Sequence, residues 1–316
     1  MKQLVKRLIH YGYKNKMSDL YILPKKKGYH LSFRFHLEIK DYEYIDKKTG
    51  EQLILYFKYL AGMDIAEKRK VQMGSTSVKV KQQTYRIRLS TVADFLNRET
   101  LVIRFLYPIK TTEDIAFIDQ KQFESLKTMI PRQGLFIFAG PTGSGKSTST
   151  HLLLQELIHL KHKQVITIED PVEIEDDDCV QFQVNEKIGL TYQELIKVCL
   201  RHRPDVLLIG EIRDSETAKM AVRAGLTGHL VFSTIHAMNQ KGVLIRLKEL
   251  GISDQDIKES VKGVVYQEMI PMKNHEYGVL YDILDNEENN EWEKNLQLAY
   301  KQEKITKEVL EIYKKR

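Results

Sequence analysis

Apolar residues recur along the chain with two rhythms, and the rhythm changes once. In LYILP, YHLSFRFHLEI, SVKVKQQTYRIRLSTV and TLVIRFL they fall at about every second position, the period of a half-buried strand. Gly50 to about Ala61 is spaced as a helix instead, so this half predicts a small α+β domain. Near YPIKTTED, Pro108 and a threonine pair interrupt the pattern before an acidic helix start. Beyond it come unbroken apolar runs, LFIFA, VITIE, VLLIG and LVFST, separated by helical stretches of about a dozen residues. Continuous apolar strands are covered on both faces, and their alternation with helices predicts a mostly parallel sheet. Two domains are therefore expected, a small α+β N-terminal domain over 1–108 and an α/β domain over 109–316. The second ends in a possible hairpin, QEMIPMK with YGVLYDIL, the polar stretch DNEENNEWE and a charged helical extension.

Leu4, Val5, Leu8 and Ile9 share one helical face with lysines opposite. Packing on its own domain is the expectation for this helix, with a membrane-touching amphipathic helix as the alternative. No stretch approaches the ~20 apolar residues of a membrane span, and MKQLVKRLIHYGYK is too charged for a signal-peptide core. A cytoplasmic protein is expected. The formal net charge of +6 over 316 residues suits a solvated surface more than a nucleic-acid footprint. Cys179 and Cys199 stand alone, without C-x-x-C, which excludes a disulfide framework or zinc ribbon; both are expected to be reduced and buried.

Behind LFIFA stands GPTGSGKSTST, Gly140 to Thr150, which fits G-x-x-x-x-G-K-S/T with a strand before it and the helical stretch STSTHLLLQELIHL after it. Gly140, Gly143 and Gly145 let the backbone turn its N–H groups toward phosphate oxygens, and the helix N-terminus favours the same anion. Gly140, Pro141, Thr142, Gly143, Ser144, Gly145, Lys146, Ser147 and Thr148 are thus the candidate nucleotide-binding residues. Lys146 is expected to reach the β- and γ-phosphates of ATP, and the Ser147 hydroxyl to ligate Mg²⁺. The next strands end in carboxylates, where open α/β sheets bind ligands. VITIEDPVE supplies Glu169, Asp170 and Glu173, and VLLIGEIRD supplies Glu211, Arg213 and Asp214. Glu211, closing an apolar strand, is expected to orient water or hold the hydration shell of the metal. Gly210 stands where such strands usually carry an acid, so Mg²⁺ must rely on Ser147, water and neighbouring glutamates. The run Asp176, Asp177, Asp178 is expected to be a solvated loop.

Taken in order, SDLYILP, GPTGSGKST, ITIEDPVE and DVLLIGEIRDSETAKMAVRAGLTGHLVFSTIHA resemble the N-terminal-domain, Walker A, Asp box, Walker B and His box signatures of the type II secretion and type IV pilus assembly ATPases. The resemblance implies a RecA-like P-loop ATPase domain behind the small domain, in a homo-hexameric ring that turns ATP hydrolysis into assembly of pilin-like filaments. It implies an integral membrane platform protein as partner, pilin-like subunits indirectly, and a peripheral place at the inner face of the cell membrane. It matches the catalytic lysine to Lys146, the hydrolytic glutamates to Glu173 and Glu211, the Asp box acids to Glu169 and Asp170, and the His box sensors to His229 and His236. RLST and VIRFL point to Arg88 and Arg104 as arginine fingers, with Arg86 on the same face as Arg88 a weaker candidate. Asp19 is expected to have an architectural role. Closure is expected at a hinge near 107–112. The lack of a four-cysteine insertion, the short N-terminus and RHRPD before the Walker B strand are most similar to the short form that drives competence pseudopili and DNA uptake in Gram-positive bacteria. A pilus-retraction or other secretion ATPase is the alternative. A RecA-like nucleic-acid motor is a third reading, although no segment interleaves aromatics with basic residues, and direct nucleic-acid binding is not expected.

Overall fold

Helix α1 (Lys2–Lys14) buries Val5, Leu8, Ile9 and Gly12, so its apolar face is spent on its own core. The computed structural model describes residues 1–35, 38–107, 112–274, 276–284 and 291–314. Residues 108–111, the centre of the expected hinge, and 285–290, in the polar stretch, lie outside them. The chain divides into two compact units, Met1–Pro108 and Ile109–Arg316.

The first unit is a six-stranded antiparallel sheet with two helices. Its strands are β1 (Asp19–Lys25), β2 (Gly28–Phe35), β3 (Glu38–Ile45), β4 (Gln72–Val80), β5 (Gln83–Ala93) and β6 (Glu99–Leu106), in the order β3-β2-β1-β6-β5-β4. Between β3 and β4 runs α2 (Lys47–Leu60), which starts earlier than its apolar spacing suggests. Asp46 caps it by accepting from the Thr49 backbone N–H at 3.0 Å, which satisfies a donor the helix leaves open. Alternation puts Ile87, Leu89, Leu101, Ile103 and Phe105 into the core. Beneath them Lys58, fully buried, donates to Glu99 Oε1 and to the Glu67 carbonyl, each at 2.6 Å. Removing either charge would strand the other in the interior at a cost of ~3–5 kcal/mol.

The second unit has the mostly parallel sheet that the continuous apolar runs predict. Helix α3 (Gln120–Met129) leads into β7 (Gly134–Ala139), α4 (Lys146–Lys161), β8 (Val165–Glu169), β9 (Val180–Gln183), α5 (Tyr192–Arg201), β10 (Val206–Ile209), α6 (Ser215–Leu226) and β11 (Leu230–Ile235). There follow α7 (Gln240–Glu249), α8 (Asp254–Ser260), the hairpin β12 (Val261–Pro271) and β13 (Tyr277–Ile283), and helices α9 (Glu291–Lys301) and α10 (Lys307–Lys314). Strand order is β13-β12-β7-β11-β10-β8-β9, with only β13 antiparallel to its neighbour. Successive residues of β7 enter different cores: Leu135, Ile137 and Ala139 pack with α5 and α6, while Phe136 and Phe138 pack with α3 and α4. Burial on both faces explains why these strands read as unbroken apolar runs. Among the described residues no helix is long and apolar enough to cross a membrane. Both cysteines are free; Cys199 is buried and Cys179 half-buried, and burial pushes their thiols up to about 11 and about 12.

Candidate active site

Parallel strands that are neighbours present their C-terminal ends along one edge, which here aligns Gly140 after β7, His236 after β11, Glu211 after β10 and Glu169 at the end of β8. Between β7 and α4 the loop turns through three glycines at positive φ: Gly140 at 148°, Gly143 at 81° and Gly145 at 85°. Gly140 is also a close approach, since a Cβ there would stand 2.2 Å from the Gln267 carbonyl oxygen. Any other residue would push the loop off β12. Buried Gln267 holds the far side, its Nε2 donating to the Ser144 carbonyl at 2.6 Å, and Tyr281 Oη lies 2.7 Å from Ser149 Oγ at the start of α4. Strands β12 and β13 therefore shape the loop from behind.

Lys146 Nζ donates to the carbonyls of Gly140 at 2.9 Å and Pro141 at 3.0 Å. Burial holds its ammonium below the usual lysine range, while the charges of Glu211 and Glu173 act the other way. That opposition places both glutamates in the electrostatic neighbourhood of the lysine.

Glu211 is held from two sides. Arg213 Nε donates to its Oε2 at 2.8 Å, and His236 Nε2 lies 3.0 Å from its Oε1. A second nitrogen of Arg213, Nη1, reaches Asp170 Oδ2 at 3.2 Å, and the two carboxylates raise the guanidinium above its ordinary value. Glu169 accepts from Thr167 Oγ1 at 2.7 Å and Gln181 Nε2 at 3.3 Å, and burial lifts its carboxyl above the usual range. Thr167 lies two residues before Glu169 on the same strand face, a signal that period-two alternation carries and that the motif alone does not.

Gly210 has a steric reason. A Cβ there would meet the Ile168 carbonyl oxygen at 3.1 Å and Tyr192 Oη at 3.2 Å, so an acid at this place would crowd β8 and α5. Beside it Ser147, Thr150, His151, Thr167, Glu169 and Thr234 line one part of a small cavity whose other part is apolar, from Ile174 and Leu208. Thr150 Oγ1 is buried there without a hydrogen-bond partner.

The acidic run departs from expectation. Asp177 and Asp178 are exposed, but Asp176 is buried, accepting from the Asp178 backbone N–H at 3.0 Å and Gln155 Nε2 at 3.2 Å. It also lies 3.8 Å from His151 Nε2. At that distance its charge does not outweigh burial, which lowers the His151 pKa from 6.5. The sign follows: an unfolded chain binds a proton near pH 6.5 that the folded chain refuses, so stability is full above that pH and falls below it. Lowering the pH from 7.5 to 5.5 should therefore lower the stability of the folded chain, by at most ~1.4 kcal/mol per pH unit below pH 6.5, and its melting temperature with it. His151→Asn should flatten that slope in a thermal-melt series, and an unchanged slope would remove His151 as its source.

The two His box residues stand at opposite ends of β11. His236 reaches Glu211, whereas His229 precedes β11 at its opposite end, roughly 20 Å away by strand rise, with Nδ1 3.4 Å from Thr227 Oγ1. In the first unit Arg88 and Arg104 are cross-strand partners on β5 and β6, and Arg104 Nε donates to buried Asp19 Oδ1 at 3.0 Å.

Comparison with known proteins adds four findings. A family model described as type II/IV secretion system protein matches residues 1–312. Competence protein ComGA of Streptococcus pneumoniae is 45% identical over 270 residues, which cover 85% of each chain. Competence protein ComGA of Bacillus subtilis is 38% identical over 274 residues, 86% of this chain and 77% of the relative. In fold, the X-ray structure of the Legionella pneumophila ATPase DotB superposes with a TM-score of 0.80 at 19% identity, covering 99% of this chain and 95% of that one.

Proposed function

The chain belongs to the type II/IV secretion system protein family, and on that premise we propose that this pilus or secretion assembly ATPase is the homo-hexameric motor of a competence pseudopilus that supports DNA uptake. ATP hydrolysis is the family's activity. The observation that carries the finer reading is the 45% identity to a competence protein across 85% of both chains. An integral membrane platform protein is the proposed partner that receives the movement, with pilin-like subunits engaged through it, and this would hold the chain at the inner face of the membrane.

The phosphate loop fits ATP and the polar part of the cavity fits Mg²⁺. Hydroxyl and carboxylate oxygens of Ser147, Thr167 and Glu169 form a hard donor set of the kind Mg²⁺ takes, and the buried Thr150 hydroxyl lacks a partner there. Ser147 would hold the ion, with Glu169 beside it. When bound, Mg²⁺ neutralises charge that develops on the β- and γ-oxygens. The chain's own residues do the rest. Lys146 would leave the loop carbonyls for the phosphate oxygens, and Glu211 would orient the attacking water with Glu173 in support. Asp170 would hold Arg213, and His236, at Glu211 Oε1, would sense the phosphate; His229, at the other end of β11, is proposed to report from there. Arg88 and Arg104, side by side on their sheet, would supply guanidinium charge to phosphoryl transfer.

Sedimentation of the purified chain tests the motor reading. With Mg²⁺ and a slowly hydrolysed ATP analogue, a species about six times the 36.9 kDa subunit is expected. A strict monomer with and without nucleotide would remove the ring.

A further inference from the structure

Glu211 has a carboxylate with each oxygen engaged by a different partner, Oε2 by Arg213 and Oε1 by His236. Arg213 does more than pair with it. Its guanidinium spans two strand ends, sending Nε to Glu211 beyond β10 and Nη1 to Asp170 beyond β8. Those strands are hydrogen-bonded neighbours in register, with Ile209 opposite Ile168, so the fork bridges a gap that the sheet itself keeps constant. Glu211's side chain is 18% exposed and Arg213's 56%, so the carboxylate sits inside and the guanidinium closes over it. An ion pair that open to water contributes little to stability. What it can contribute is geometry, because a glutamate has three side-chain torsions and must still hold its oxygen in place to direct a water.

We propose that Arg213 is a positioning residue for hydrolysis: it holds Glu211 Oε2, ties that orientation to Asp170 on the adjacent strand end, and so directs the other oxygen, Oε1, toward the water, which it can take up on the lone pair that His236 does not face. The proposal rests on reading Glu211 as the water-directing residue. Arginine suits the task because its planar fork offers two directed donors at once, whereas a lysine ammonium is a point charge on a flexible stem. The motif's spacing alone did not assign Arg213 a task, since it lies two residues beyond Glu211 and past the strand, and only the folded turn brings it back.

Steady-state ATP turnover of the full chain separates this from a structural role. Arg213→Gln should lower kcat about tenfold to a hundredfold, the size of effect that misplacing a reacting group produces, while KM for ATP stays within about threefold because no phosphate contact is lost. Arg213→Lys should recover part of kcat, since charge returns without the fork. In a Glu211→Gln background, adding Arg213→Gln should have a much smaller effect than in the natural chain, because the carboxylate that Arg213 positions is already gone. Additive losses, or a large rise in KM, would overturn the proposal in favour of direct contact with the nucleotide. Normal kcat in Arg213→Gln beside a crippled Glu211→Gln would overturn the positioning role alone. Normal kcat in Glu211→Gln would instead overturn the role of Glu211, and this inference with it.

Discussion

Lys146→Ala should abolish ATP turnover, with a loss of at least ~10³-fold, about 4 kcal/mol of transition-state stabilisation, and leave the fold standing. The loss is large because Lys146 is the cation that the loop itself carries, bonded to its Gly140 and Pro141 carbonyls. Glu211 and Glu173 both act on the Lys146 ammonium, so alanine leaves their charges without that counter-charge. The fold survives for a related reason. Burial already disfavours the charged lysine, so removing it relieves a desolvation cost that offsets the lost bonds to the Gly140 and Pro141 carbonyls. The melting temperature should stay within ~3 °C, a change of less than about 1 kcal/mol for a unit of this size. Near-normal turnover in a coupled-enzyme assay would remove the phosphate-loop assignment; a collapsed melt would make the lysine structural.

Glu211→Gln should bind ATP and hydrolyse it about 10²-fold more slowly. The substitution keeps the shape. Its amide oxygen can still accept from Arg213 Nε, so the side chain stays near its present place, while the carboxylate charge that draws a proton from water is gone. Affinity and turnover should therefore separate, with fluorescent-nucleotide titration near normal and single-turnover hydrolysis slow. Equal losses in both would mean that Glu211 holds the nucleotide and leaves the water alone.

What the sequence discloses about this site divides along contact range. The glycine loop, its strand and its helix are contiguous, and positive φ at Gly140, Gly143 and Gly145 is what such a spacing demands. Strand-end acids were legible too, because a run such as VLLIGE states where the strand stops. The places of the histidines were legible as well, since LVFST lies between His229 and His236 and an extended strand sets them at its two ends. The burial of Asp176 was not legible, because a three-residue acidic run looks solvated and Gln155 and His151, which face its carboxylate, come from α4. The crowding at Gly210 was hidden for the same reason, since Ile168 and Tyr192 come from other elements. Arg98 and Asp94, four apart in one hairpin, illustrate the legible extreme; Gln267 and Ser144, 123 residues apart, the illegible one.

That last separation bears on when the site comes into being during synthesis. The loop at Gly140 leaves the ribosome early, but its rear wall, the Gln267 carbonyl and amide with the Tyr281 hydroxyl, is made only when the final hairpin emerges. Until then the Ser144 carbonyl has no partner there and Gly140 has no surface to lie against. Chains cut short before β12 therefore carry every residue of the glycine motif and lack the wall that shapes it.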